Sequence, residues 1–157
     1  MDTSETYIDM CEKATEIQGE WDSQVGDWYT PKRDLFEDNS GSEWKIEGEN
    51  LVFKKGDIYC AGSDGFQGFE STGWCDWSGS IGDFSLLIWL PRQDQLQEMV
   101  VENYVSHRKM FVCFGFYCAE YGDINYSGEK LWLMFVMYKK HNKEWVNGDW
   151  ISIDSHT

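Results

Sequence analysis

Apolar and polar positions change rhythm several times along this chain, and each change marks an element. Phe84 to Leu90 is an apolar run interrupted only by Ser85, lying behind Gly82, and has the length of a buried strand. Pro91 stops it, because proline lacks the N–H a sheet ladder needs and disfavours helix in the residue before it. Proline also suits the first turn of a helix, where that N–H would have no partner. Leu96, Met99, Val100 and Tyr104 then recur at i, i+3, i+4 and i+8, so an amphipathic helix is predicted over 92–105. Its polar side holds Gln95, Gln97, Glu98 and Glu102, with Asp94 and Glu98 near the end where the helix dipole favours acids.

The flanking chain reads in the same way. Ile8, Cys11, Ala14 or Thr15, and Ile17 or Gln18 mark one side of a helix near 4–18, capped by Thr3 or Ser4 and ended by Gly19. Trp28-Tyr29 begins a short strand, and 31–42 is polar and turn-rich. Trp44–Ile46 and Leu51–Phe53 flank a four-residue turn, a hairpin signal, and Ile58–Cys60 adds a third strand to make a meander. Residues 61–83 carry six glycines with Phe66, Phe69, Trp74 and Trp77 between them. This segment is either a functional loop or one or two irregular edge strands joined by tight turns. Lys109 to Cys118 is apolar almost throughout and is predicted as a central strand, with Gly115 allowing a bulge or close packing. Ser127 is placed to cap a helix over 128–141 that is hydrophobic all round from Leu131 to Tyr138, as a central buried helix is. Lys139, Lys140 and His141 load its end with positive charge. Trp145 to Ile151 is a hairpin about Asn147-Gly148, the pair that suits a type I′ turn. Runs of short strands without regular strand–helix alternation give an α+β expectation: a mostly antiparallel sheet packed with about three helices, in a single globular domain over 1–157.

The run Trp89-Leu90-Pro91-Arg92-Gln93-Asp94-Gln95-Leu96-Gln97-Glu98-Met99 resembles a segment near the middle of uncharacterised bacteriophage and prophage proteins. Tyr7–Ala14 and Leu131–Met137 followed by Trp145 are also similar to that group, so the likeness covers about a third of the chain. It implies a phage setting and carries no activity with it. Independently of that likeness, Arg92, Gln93 and Gln95 at the helix start read in two ways, as a polar recognition edge or, the commoner meaning of such a pattern, as the start of a well-capped surface helix.

The charge adds a second consideration. The formal net charge is −15, and it is uneven: residues 1–50 hold 14 acids against 4 bases, whereas 107–157 hold 6 of each. Such a chain is repelled by nucleic-acid phosphates and anionic membranes and drawn to basic surfaces; the charge also serves solubility alone. Five cysteines and an acidic N-terminus are expected of a reduced, cytoplasmic protein, here in a bacterial host cell, and no apolar run is long enough to span a bilayer. Aromatic residues are 17% of the chain, including nine Trp, an excess that points beyond the core to a contact surface.

Motifs for chemistry are few. No nucleophile elbow, phosphate loop or dinucleotide fingerprint occurs. Asp38–Glu43 lacks the spacing of a calcium loop. Cys113 and Cys118, if on a strand, point to opposite faces and cannot share a metal. No cofactor or metal site is expected. The functional expectation is a non-enzymatic phage accessory protein that binds a basic host or defence protein, in its sharpest form an acidic inhibitor of a nucleic-acid-binding immune effector. Its contact residues would be Arg92, Gln93 and Gln95, the aromatics Phe66, Phe69, Trp74 and Trp77, and the acids Glu43, Glu47 and Glu49. The alternative is a small-molecule or nucleotide binder, or an enzyme, with its site in 61–83 and Asp64, Glu70 or Asp76 as working carboxylates.

Overall fold

The computed structural model describes residues 1–22, 24–36, 43–45, 52–54, 56–62, 65–70, 73–76 and 86–153. Helices and antiparallel strands occur in separate blocks, which makes the fold α+β. Five α-helices stand among the described residues where three were expected: α1 (Glu5–Lys13), α2 (Thr15–Glu20), α3 (Gln93–Val101), α4 (His107–Tyr121) and α5 (Gly128–His141). The strands are β1 (Trp28–Pro31), β2 (Glu43–Lys45), β3 (Val52–Lys54), β4 (Ile58–Gly62), β5 (Gly65–Glu70), β6 (Gly73–Asp76), β7 (Leu87–Leu90), β8 (Lys143–Val146) and β9 (Asp149–Ser152). The chain groups into two compact units, Gln18–Leu90 and the combination of Met1–Ile17 with Pro91–Thr157.

The unit Gln18–Leu90 is built on an antiparallel sheet of order β6-β5-β4-β1-β7. All four residues of β7 are buried, as the apolar run predicts. Its outer edge is closed by a side chain. The Gln18 amide donates to the Trp89 carbonyl at 2.9 Å and accepts the Trp89 N–H at 2.8 Å, standing in for a further strand. Trp21 stacks on Trp89 with ring centroids 4.2 Å apart, and its indole N–H donates to buried Asp27 at 2.7 Å. The hairpin predicted near 44–53 forms as β2 and β3, a separate two-stranded sheet. The meander does not form. β4 pairs with β1 and β5, so neither of its edges is open to β3. Within the glycine-rich segment, residues 65–70 supply β5, an inner strand between β4 and β6, and residues 73–76 supply the edge strand β6.

In the other unit, α5 is the core. Residues Trp132 to Met137 are all buried, and α1, α3, α4 and β8 pack against the helix. Ser127 caps it, its hydroxyl accepting the Lys130 N–H at 3.1 Å. At the far end Asn142 takes a left-handed φ of 53° after the basic last turn. Asn147 and Gly148, with φ of 53° and 85°, form the primed turn expected of that pair, and Trp145 faces Trp150 across β8–β9.

Two expectations fail here. The single helix near 4–18 is broken at Ala14, whose ψ of 62° ends α1, and Gly19 lies inside α2 instead of ending a helix. The break is held from outside: Trp150 donates its indole N–H to the Met10 carbonyl, while Lys143 pairs with Glu16. The predicted strand over 109–118 is the helix α4, and the helix expected over 92–105 ends at Val101. Ser106 caps α4 by accepting the Lys109 N–H. Met110, Phe114, Tyr117 and Tyr121 then recur at i, i+4, i+7 and i+11 and meet α5 in an aromatic ladder. Phe114 stacks on Trp132 at 3.8 Å, Tyr117 meets Phe135 at 5.4 Å, and Tyr121 lies 5.8 Å from Tyr138. A strand would send Met110 and Phe114 to one face and Tyr117 and Tyr121 to the other and lose half of these contacts.

Candidate interaction surfaces

The start of α3 is where the sequence places a recognition edge, and the structure divides its residues. Gln95 is buried, and its side-chain oxygen accepts the Arg92 backbone N–H at 2.9 Å, so it closes the helix end from inside. The Arg92 guanidinium reaches Asp94 through two contacts of 3.2 Å, one to each carboxylate oxygen. This pairing holds the Asp94 carboxyl below its ordinary range, outweighing the burial that acts to raise it. Gln93 is exposed along its length but leans on the start of α5, where its side-chain oxygen would sit 2.8 Å from any Cβ added to Gly128. Beneath them the buried Tyr7 hydroxyl donates to the Pro91 carbonyl at 2.5 Å. The arrangement is a clasp that fixes where α3 begins.

The aromatic and acidic candidates in 43–77 separate differently. Phe66 and Phe69 lie on β5 and Trp74 on β6; Phe69 and Trp74 are register partners, while Phe66 is opposite Ala61. Glu70 is opposite Gly73, and Asp76 opposite Gln67. Glu43 opens β2 opposite Lys54. Trp77, Glu47, Glu49 and Asp64 lie outside the described residues.

Two surfaces emerge that single-stretch reading passed over. On α1 the buried side is Tyr7, Ile8, Met10 and Cys11, and opposite it Glu5, Asp9 and Glu12 fall at i, i+4 and i+7, an acidic ridge. The signal was present in the periodicity of the polar positions, which are as regular as the apolar ones. Asp2 and Glu16 flank the ridge and are tied inward. Asp2 accepts from the Ser127 hydroxyl and lies 3.6 Å from Lys130, and Glu16 pairs with Lys143. The second surface is the outer side of α4. Val112 and Phe116 are 51 and 74% exposed there, and Phe111, 47% exposed, stands at its margin with its ring edge-on to Trp132 of α5 at 5.7 Å.

Among the described residues, the resolved shifts move titratable groups away from neutrality. Burial raises the Cys11, Cys118, Tyr7 and Tyr117 protons, so these groups stay neutral near pH 7. Hydrogen bonding and lysine partners keep the Asp2 and Glu16 carboxyls low: for Asp2 the Ser127 and Ser4 bonds outweigh burial, and for Glu16 the Lys143 bond leads. Cys113 and Cys118 sit on α4 about 140° apart around the helix, again unsuited to a shared ion. Among the described residues no three His, Cys, Asp or Glu side chains converge as metal ligands, and no helix is long and apolar enough to cross a membrane. Comparison with protein-family models, curated proteins and solved structures finds no match.

Proposed function

We propose that the chain is a non-enzymatic binding protein, a phage accessory factor that engages a basic host or defence protein in the host cytoplasm. The observation that carries this reading is the acidic ridge Glu5–Asp9–Glu12 on a helix whose opposite side is anchored in the core. A ridge on a rigid helix presents its charges in fixed register, which favours a complementary basic surface over a disordered one. The sharpest form is an inhibitor of a nucleic-acid-binding effector, in which the carboxylates take the place of phosphates in a basic channel.

The test is affinity enrichment from bacterial lysate with the natural chain and with the triple variant Glu5→Lys, Asp9→Lys, Glu12→Lys side by side. A basic protein retained by the natural chain and lost by the variant supports the reading. Equal retention by both, or retention of nothing specific, overturns it.

A further inference from the structure

We infer that the outer face of α4 is the docking site for a second copy of this chain, set antiparallel about a two-fold axis near Gly115. This goes beyond the basic-partner reading and uses a different surface. Helix α4 is apolar on both sides. Its inner side is occupied by the aromatic ladder against α5. Its outer side presents Val112 and Phe116, 51 and 74% exposed, with exposed Gly115 and Ala119 among them, and Phe111, 47% exposed and edge-on to Trp132, at its margin. A helix apolar all round is stable in water only when both sides are covered, and contiguous exposed apolar surface marks a contact site.

The charges on α4 select the occupant. Its first turn carries His107, Arg108 and Lys109 and no acid, while Glu120 and Asp123 stand at its other end. Both placements oppose the helix dipole, so within one chain they are unfavourable. In an antiparallel pair each becomes favourable: the basic end of one helix meets the acidic end of the other, and the two dipoles cancel. Two-fold symmetry then satisfies both ends at once. A basic protein partner would meet repulsion at His107–Lys109, and an acidic or phosphate-bearing surface would meet it at Glu120 and Asp123, whereas a second copy set antiparallel matches both ends of the helix. Val105 and Ile124, 81 and 99% exposed, flank the helix at nearly equal distances from Gly115, so antiparallel pairing brings apolar end to apolar end. Nothing lies within 4 Å of a Cβ built on Gly115, and that open space allows helix axes to approach at the close end of the usual 8–10 Å.

Sedimentation of the full chain over a concentration series reads the assembly directly. The expected species has twice the 18.4 kDa chain mass. Phe116→Glu and Val112→Glu should each weaken association at least tenfold. Gly115→Leu separates docking from folding. Its side chain enters open space in one copy and raises helix propensity, so thermal unfolding is unimpaired while association is lost. Arg108→Glu with Lys109→Glu should weaken the dimer, and adding Glu120→Lys with Asp123→Lys in the same chain should restore it. A monomer up to about 1 mM overturns the inference. So does a dimer indifferent to Phe116→Glu and Gly115→Leu, or a failure of the charge swap to restore. A monomer that binds neutral phosphatidylcholine vesicles through Phe116 assigns the face to lipid and overturns it equally.

Discussion

Removing the hydroxyl of Tyr7 would leave the Pro91 carbonyl buried without its donor, and the start of α3 would lose the bond that anchors it to α1. An unmet buried acceptor costs about 1–3 kcal/mol, so Tyr7→Phe should lower the denaturation midpoint by that order and speed amide exchange at the start of α3. Asp2 gives the corresponding pH effect. Its folded proton affinity is depressed, so the carboxylate contributes stability that is fully present above the ordinary carboxyl value and is lost as pH falls below it, through the depressed folded value. Asp2→Asn should therefore flatten the acid limb of the stability profile below about pH 4, measured by urea midpoints at stepped pH; an unchanged limb would exclude the Ser127–Lys130 anchor as a source of that stability. Ser4, Ser127 and Asn147-Gly148 were legible as local signals, because a cap or a primed turn depends on residues within a few positions. Gln18 and Gln95 were not. Gln18 meets a backbone group 71 residues away, which no local pattern encodes, and Gln95 is a polar residue on the polar side of its helix that turns inward to close the helix end.

At the scale of elements, α5 was fully readable, from cap to basic last turn, because all its cues agree. α4 was misread because apolar content hides period: a segment apolar on both sides satisfies strand and helix templates together. Two cues pointed to helix, the cap at Ser106 and the spacing of Met110, Phe114, Tyr117 and Tyr121. Both yield measurable consequences. Ser106→Ala should destabilise the fold by about 1 kcal/mol through loss of the cap. Phe114→Ala, which removes the ring stacked on Trp132, should remove about 3 kcal/mol, whereas a strand-like alternation would make Phe114 and Cys113 exchange roles. Calorimetry on the two variants checks the ratio; equal, small effects would contradict the ladder. Residues 61–83 were half legible: strands with tight turns were one of two readings, and glycine-rich aromatic sequence fits both.

At the scale of the whole molecule, charge is the strongest statement the sequence makes, and the fold gives part of it a shape. Three of the 14 acids of residues 1–50, Glu5, Asp9 and Glu12, lie on one side of α1, a helix whose other side is buried. Attraction to a basic partner begins beyond contact, and exposed charges farther apart than about 8 Å are largely screened at physiological salt. The association rate should then fall as ionic strength rises, while dissociation, governed by buried contacts, changes less. Reversing Glu5, Asp9 and Glu12 to Lys should slow association by more than tenfold at low salt, and the fold should survive because these side chains lie opposite the buried face. Reversing Glu43, Glu47 and Glu49 alters net charge by the same amount from another part of the chain. If net charge alone steers the encounter, the two triple variants will slow association equally. If the α1 ridge is the contact, its reversal will slow association more and also raise the dissociation rate, because opposed charges are then held at the interface. Stopped-flow measurement of both variants against the captured partner, at two salt concentrations, separates these cases. An association rate indifferent to salt and to both reversals would reduce the acidity to a means of staying soluble and leave binding to the aromatic surfaces.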